Sequence, residues 1–218
     1  MSSDGHTGPI FRGGRRGVLL ALSSPSGAGK TTLSKRLLSQ NPDVVLSVST
    51  TTRPPRPGEV HGQDYFFVSV DEFKAQIEAG AFFEWAEVFG RYYGTPKDIV
   101  MDAIDDGRDV IFDIDWQGAQ ALAAQAPEDT VRVFILPPSL DLLEDRLSKR
   151  GQDTPEIIRD RMARAKDEIS HWHEYDYVIV NDDFARALDK LNQILHAERL
   201  KRSRHPWLED FVDAIMDQ

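Results

Sequence analysis

Residues 23–33 read SSPSGAGKTTL, a run of small residues and glycines that ends in a lysine and two threonines. Glycines let successive backbone N–H groups turn inward onto an anion, a lysine just beyond can reach terminal phosphates, and the hydroxyl after it can ligate Mg²⁺. Ser26, Gly27, Ala28, Gly29, Lys30, Thr31 and Thr32 are therefore expected to hold a polyphosphate. The pattern GxxxxGK[ST] is missed at one place, because Ser24 stands where its first glycine would be and resists positive φ more than glycine does. An ordinary Ser/Gly strand-to-helix turn is the plain alternative.

Two further sets of residues call for anion chemistry. The stretch TTRPPRPGEVHGQDY, 51–65, has three prolines and two glycines, so a regular helix or a ladder-bonded central strand is excluded. It fixes Arg53 and Arg56 on a stiffened backbone, where guanidinium forks match phosphate oxygens. In DVIFDID, 109–115, Asp113 and Asp115 are two apart and project on one face at the carboxyl end of an apolar run, where open α/β sheets bind ligands. One is suited to Mg²⁺ and the other to an acceptor, and either could instead cap WQGAQAL. We assign Asp115 with Thr31 to the metal and Asp113 to the acceptor, although the spacing leaves the division open.

The elements that must position these groups are legible as a rhythm. Apolar runs at 17–24, 44–49, 109–115, 131–138 and 175–182 read as buried parallel strands, with helices predicted over Lys30 to about Ser39, 139–150 and about 184–202. Alternating strands and helices imply an α/β sheet with helices on both faces. Residues 50 to about 95 and 139–172 interrupt the rhythm. In the second region, Thr154 and Pro155 predict a helix start, and Ile158, Met162, Ala165 and Ile169 form one apolar stripe. Glu144–Lys166 carries seven basic and five acidic residues. Arg161 and Arg164 lie three apart there, facing either a cleft or, among Glu156, Asp160, Asp167 and Glu168, only solvent.

With 218 residues there is room for one large domain. A net charge of −10 argues against a sequence-independent nucleic-acid binder or an anionic-membrane binder, so an anionic ligand must be met by local charge. Screening over about 8 Å makes that feasible for a few arginines. Cysteine is absent, which excludes disulfides, thiolate metal sites and a cysteine nucleophile, and makes a reducing cytoplasm the natural compartment. Val18–Leu22 is shorter than the roughly 7 to 15 residues of a signal-peptide core. Residues 1–16 are expected to be a flexible tail, and 203–218 an exposed tail whose Pro206-Trp207 and Phe211-Val212 dock on the body or a partner. His171 and His173, two apart in a helical segment, are directed to different faces, which disfavours a metal site there. Trp116 and Trp172 are expected to be packing residues.

Taken in order after SSPSGAGKTTL, the runs SVSTTTRPPRPGEVHGQDYFFVSVDEF, FFEWAEVFGRYYGTP, DIDWQGAQ, FILPPS, RGQDTPE and VIVNDD resemble guanylate kinase over roughly residues 17–200. The resemblance implies a P-loop nucleoside-monophosphate kinase fold: a parallel core sheet flanked by helices, with an inserted GMP-binding subdomain at about 49–97 and a lid at about 139–172. It implies transfer of a phosphoryl group from Mg·ATP to GMP or dGMP. Arg53, Arg56, Tyr65 and Tyr93 match the family's contacts to the GMP phosphate, and Ser49, Glu84 and Thr95 match its guanine contacts. Arg146, Arg150 and Arg161 match the lid arginines, Arg150 lying near the adenine, and Asn181 matches an adenine-side contact. The catalytic set is then Lys30, Arg53, Arg146 and Arg161, and ATP and Mg²⁺ are the implied cofactors. A homodimer or higher homo-oligomer stays open. The competing readings are a non-catalytic guanylate-kinase-like module that binds phosphopeptides, and a P-loop kinase of a phosphorylated sugar.

Overall fold

Five of the apolar runs pair as one parallel sheet in a computed structural model that describes residues 14–88, 90–149 and 155–217. The strands are β1 (Leu19–Ser23), β2 (Val44–Leu46), β7 (Asp109–Asp113), β8 (Thr130–Leu136) and β9 (Tyr177–Val180), in the order β2-β7-β1-β8-β9. All neighbours run parallel, with Leu20 opposite Ile111 on one side and Val131 on the other. β1 is central and wholly buried, so its successive side chains enter two different cores.

Leu20 and Leu22 pack with Leu33 and Leu37 of α1 (Lys30–Gln40) and with Leu191 and Leu195 of α7 (Phe184–Arg199). Leu19 and Ala21 face the other way, toward Ile104 of α3 (Lys97–Asp105) and Leu122 of α4 (Trp116–Gln125). Each fully buried large aliphatic contributes about 1.5 to 3 kcal/mol, so this two-sided burial fixes the carboxyl end of β1, where the phosphate-binding run begins.

The interruption at 50–95 is a second, four-stranded sheet of order β4-β3-β6-β5. Its strands are β3 (Thr50–Thr51), β4 (Phe66–Phe67), β5 (Phe82–Val88) and β6 (Arg91–Pro96). Helix α2 (Val70–Glu78) covers it, with Phe73 stacked on Phe82 and Tyr92. The Ser69/Glu72 capping box that starts α2 is written in the sequence as S-x-x-E, a signal the pattern reading passed over.

The other interruption is the helix pair α5 (Leu140–Lys149) and α6 (Pro155–Ser170), joined by Leu143, Leu147 and Ala165 with Met162 against them. Ser139 caps α5 as expected, its Oγ accepting the Leu142 N–H at 3.1 Å. Thr154, expected to cap α6, lies outside the described residues. Past α6 a 3₁₀ turn, Trp172–Glu174, carries the HWH run. His171 stacks on Trp116 with centroids 3.7 Å apart, whereas Trp172, expected to pack, is 52 % exposed.

At the inner edges of both expected tails the chain packs on the body. Arg15 and Arg16 belong to the body: Arg15 holds the buried Asp109 carboxylate at 2.6 and 2.9 Å, and Arg16 holds Asp129 at 2.7 and 2.8 Å. At the other end α7 stops at Arg199, a 3₁₀ turn follows at Arg202–Arg204, and α8 (Leu208–Met216) closes the chain. Arg204 is only 2 % exposed, because its guanidinium meets Asp129 and the carbonyls of Gly17, Glu128 and Asp129. Among the described residues no helix is long and apolar enough to cross a membrane.

Candidate active site

The phosphate-binding run leaves β1 and turns into α1 through Gly27 and Gly29, at φ 96° and 102°. Gly29 occupies the cap position of α1 and has no side-chain oxygen, so the first-turn N–H groups lack a side-chain cap. That is the arrangement in which a helix N-terminus receives an anion. Asn181, only 5 % exposed after β9, donates its Nδ2 proton to the Ala28 carbonyl at 2.7 Å. A Cβ on Gly29 would lie 2.5 Å from that nitrogen. The resemblance implies an adenine-side contact for Asn181, and one of its two amide protons braces the loop. Ala28 is fully buried and joins the core cluster, so it offers the loop its backbone only.

Ser24, Pro25, Ser26, Gly27, Gly29, Lys30, Thr31 and Thr32 line a cavity of about 300 Å³, together with Glu168 of α6. Lys30 Nζ lies 2.5 Å from Asp113 Oδ1 and donates to the Ile114 carbonyl at 3.0 Å. The Thr31 hydroxyl reaches Asp113 Oδ2 at 3.3 Å. Asp115, the other carboxylate assigned to this region, accepts the Gly118 N–H on its Oδ1 at 2.9 Å as the cap of α4, the alternative its position before WQGAQAL left open. The reason is register. Asp113 ends β7 directly beside Leu22 of β1, while Asp115 falls after the strand, where the chain turns into the helix.

Asp113 also borders a second cavity, of about 220 Å³, with Ser49, Asp64, Tyr65, Glu84 and Thr95. The Thr95 hydroxyl donates to Glu84 Oε1 at 2.8 Å, which orients the carboxylate on β5 from the neighbouring β6. Beside this cavity Arg53 lies over the Tyr65 ring, 5.4 Å from its centroid, and Tyr65 meets Tyr93 edge-on at 6.2 Å. Arg53 donates to both oxygens of Glu59 at 2.7 and 2.9 Å, and Glu59 Oε2 also takes the Arg56 N–H at 2.6 Å. These bonds, the Arg53 side chain first and the Arg56 backbone second, hold the Glu59 carboxyl below its ordinary range. The Arg56 side chain itself is exposed.

On the helical flank, Arg146 of α5 points at the loop and donates to the Gly27 carbonyl at 3.5 Å. Arg161 is half-buried on α6, and Arg164 is exposed there. Arg150 lies outside the described residues. Glu168 was legible only as one more charge on a surface helix, yet burial here pushes its carboxyl up while the Ser26 N–H and the Lys30 charge pull it down. Its spacing of seven from Arg161, two helical turns, is the signal that could have found it.

A parallel five-stranded sheet, a glycine-turned phosphate loop leading into α1, and a carboxylate on the adjacent strand define a P-loop nucleoside-monophosphate kinase fold. Residues 16–198 match the family described as Guanylate kinase. The chain belongs to the guanylate kinase family. It is 85 % identical to the guanylate kinase of Maricaulis maris and 56 % identical to that of Hyphomonas neptunium, in each case over the whole of both chains. Among solved structures, guanylate kinase from Anaplasma phagocytophilum superimposes with a TM-score of 0.70 at 40 % identity, covering 92 % of this chain and 95 % of that one.

Proposed function

We propose that the chain transfers the γ-phosphoryl group of ATP to GMP or dGMP, giving ADP and GDP or dGDP. The observation that carries this reading is the double engagement of Asp113, which holds Lys30 and Thr31 on the phosphate-loop side and borders the Glu84 cavity on the other. Two nucleotides seated in these cavities would meet end to end over that carboxylate.

Acceptor choice rests on Glu84. Guanine presents N1–H and N2–H₂ along one edge, and a carboxylate oriented by Thr95 accepts both, while the Ser49 hydroxyl donates to O6. Adenine offers the opposite pattern and would leave Glu84 unpaired. Arg53, Arg56, Tyr65 and Tyr93 hold the acceptor phosphate. Its second pKa is about 6, so it is already ionised near neutrality and requires no general base. The chain's own contribution is alignment and charge neutralisation by Lys30, Arg53, Arg146 and Arg161. Ser26, Gly27, Gly29 and Thr32 receive the ATP phosphates, with Ala28 contributing backbone and Asn181 holding the loop in shape.

Thr31 and Asp113 fit Mg²⁺ by donor chemistry, being hard oxygens 3.3 Å apart in a site where phosphate oxygens and water complete the set. Bound there, the ion would neutralise charge on the polyphosphate. Residues 49–97 would act as the acceptor subdomain and 139–172 as the lid, in a cytoplasmic enzyme. The test is a coupled ADP-release assay with GMP, dGMP, AMP, UMP and ribose bisphosphate as acceptors. Turnover on GMP and dGMP alone is expected, and equal turnover on AMP would overturn the reading.

A further inference from the structure

Among the described residues, the phosphate-loop cavity is lined by residues 24–27 and 29–32 and by one side chain from elsewhere, Glu168 of α6. Its carboxylate lines this cavity with Ser26 and Lys30, and the Ser26 backbone and the Lys30 charge pull its pKa down against its burial. A phosphate oxygen would use the same two partners. Glu168 is half-buried, and the nearby charges of Asp115 and Asp167 oppose its own, so water alone would be the easier environment for it.

The helix that delivers this anion also carries cations on the same side. Arg161, Arg164 and Glu168 stand at i, i+3 and i+7 of α6, within about 60° of one another at 100° per residue. Ala165 and Met162, between them in sequence, pack on Leu143 and Leu147 of α5, and the same two leucines lie against Gly27 of the loop. A shift of α6 is therefore felt at the loop through packed side chains.

We infer that Glu168 is a positioning residue that stands in for nucleotide phosphate: it holds the loop's donors and Lys30 in place while the site is empty, and it must leave when ATP arrives. Its departure moves the face of α6 that carries Arg161 and Arg164, so nucleotide binding is coupled to presentation of the lid arginines. The inference rests on the ATP reading given above and adds to it a residue with a role before catalysis.

Calorimetric titration with the non-hydrolysable analogue AMP-PNP, and separately with inorganic tripolyphosphate, tests it. Glu168→Gln keeps an acceptor for the Ser26 N–H but loses the charge that competes with phosphate. It should bind both probes about tenfold more tightly than wild type, a change of about 1.4 kcal/mol, with GMP affinity unchanged. In steady state, KM for ATP should fall without a rise in kcat. Glu168→Ala leaves the empty loop without its stand-in, so the Ser26 amide should exchange hydrogen faster than in wild type until AMP-PNP is added. Equal or weaker probe binding by Glu168→Gln overturns the inference. If that variant does not fold, Glu168→Asp, which withdraws the carboxylate by one methylene, should still tighten AMP-PNP binding, and no tightening again overturns it. Absence of GMP-dependent ADP release by the wild-type chain would instead defeat the ATP reading itself.

Discussion

Lys30 Nζ and Asp113 Oδ1 stand 2.5 Å apart, a close pair at the meeting point of the two cavities. The lysine comes from the first turn of α1 and the carboxylate from the last residue of β7, so the contact exists only because β7 is registered against β1. It pre-positions the ammonium group over the phosphate loop and leaves its side chain 15 % exposed. Removing a preorganised charge of this kind lowers turnover by roughly 10² to 10³. Lys30→Ala and Asp113→Asn are each expected to lose that much in kcat for GMP-dependent ADP release, with the circular dichroism spectrum unchanged. Wild-type kcat in either variant would remove the pair from the chemistry.

Glu84 and Thr95 make a second, graded prediction. Thr95→Ala removes one hydrogen bond to the charged carboxylate, worth about 1.5 to 3 kcal/mol, so kcat/KM for GMP should fall by about ten- to a hundredfold while preference over AMP survives. Glu84→Gln replaces an acceptor-only group with one that also donates, so preference for GMP over AMP should shrink by at least about tenfold. Competing-substrate assays measure both, and a larger loss of discrimination from Thr95→Ala than from Glu84→Gln would reverse the assignment.

Legibility in the sequence followed the range of the interactions. The strands were readable because buried parallel strands are near-continuous apolar runs, and the phosphate loop because its glycines, lysine and threonine are contiguous. Asp113 and Asp115 could not be separated, since their two-residue spacing puts both on one face until the strand end is located. The small strands Thr50–Thr51 and Phe66–Phe67 give too few residues for any period to show. Arg15, Arg16 and Arg204 looked like tail charges because their partners, Asp109 and Asp129, lie 75 to 113 residues away.

Asp109 should matter for stability and not for turnover. It is 0 % exposed at the start of β7, with Arg15 and Arg199 at 2.6 to 2.9 Å and the Val18 N–H at 2.9 Å. Asp109→Ala leaves two guanidinium groups without their shared carboxylate, a loss of about 3 to 5 kcal/mol for a broken buried ion pair. Urea unfolding should show that loss, while KM for both nucleotides stays at the wild-type value. A change under 1 kcal/mol would mean that the arginines find other partners.

The brace on the loop can be probed from both sides. Gly29→Ala must place a Cβ 2.5 Å from Asn181 Nδ2 at a φ of 102°, so the loop, Asn181 or both must shift. Asn181→Ala removes the 2.7 Å bond to the Ala28 carbonyl and leaves space above Gly29. We expect Asn181→Ala to raise KM for ATP several-fold and leave KM for GMP unchanged. The double variant should recover part of the activity lost in Gly29→Ala, because it removes the clash. Strict additivity of the two losses would show that the residues act independently.

Alkaline stability offers a prediction with a definite sign. Burial first, with the charges of Glu174 and Asp115 adding to it, pushes the Tyr175 phenol up to about 12, and the hydrogen bond from the Tyr177 hydroxyl to Glu198 does the same for Tyr177. Unfolded, both titrate near 10. Between these values the folded chain holds protons that the unfolded chain has released, so stability falls as pH rises. The contribution is fully present below pH 10 and is lost progressively up to about pH 12. Thermal unfolding in buffers from pH 9 to 11.5 should show Tm dropping through this window. Tyr175→Phe should flatten its own share of the slope. Tyr177→Phe should also flatten the slope, but from a lower starting Tm, because Glu198, only 1 % exposed, keeps Lys201 yet loses its phenolic donor. An unchanged slope in both variants would assign the alkaline transition to other groups.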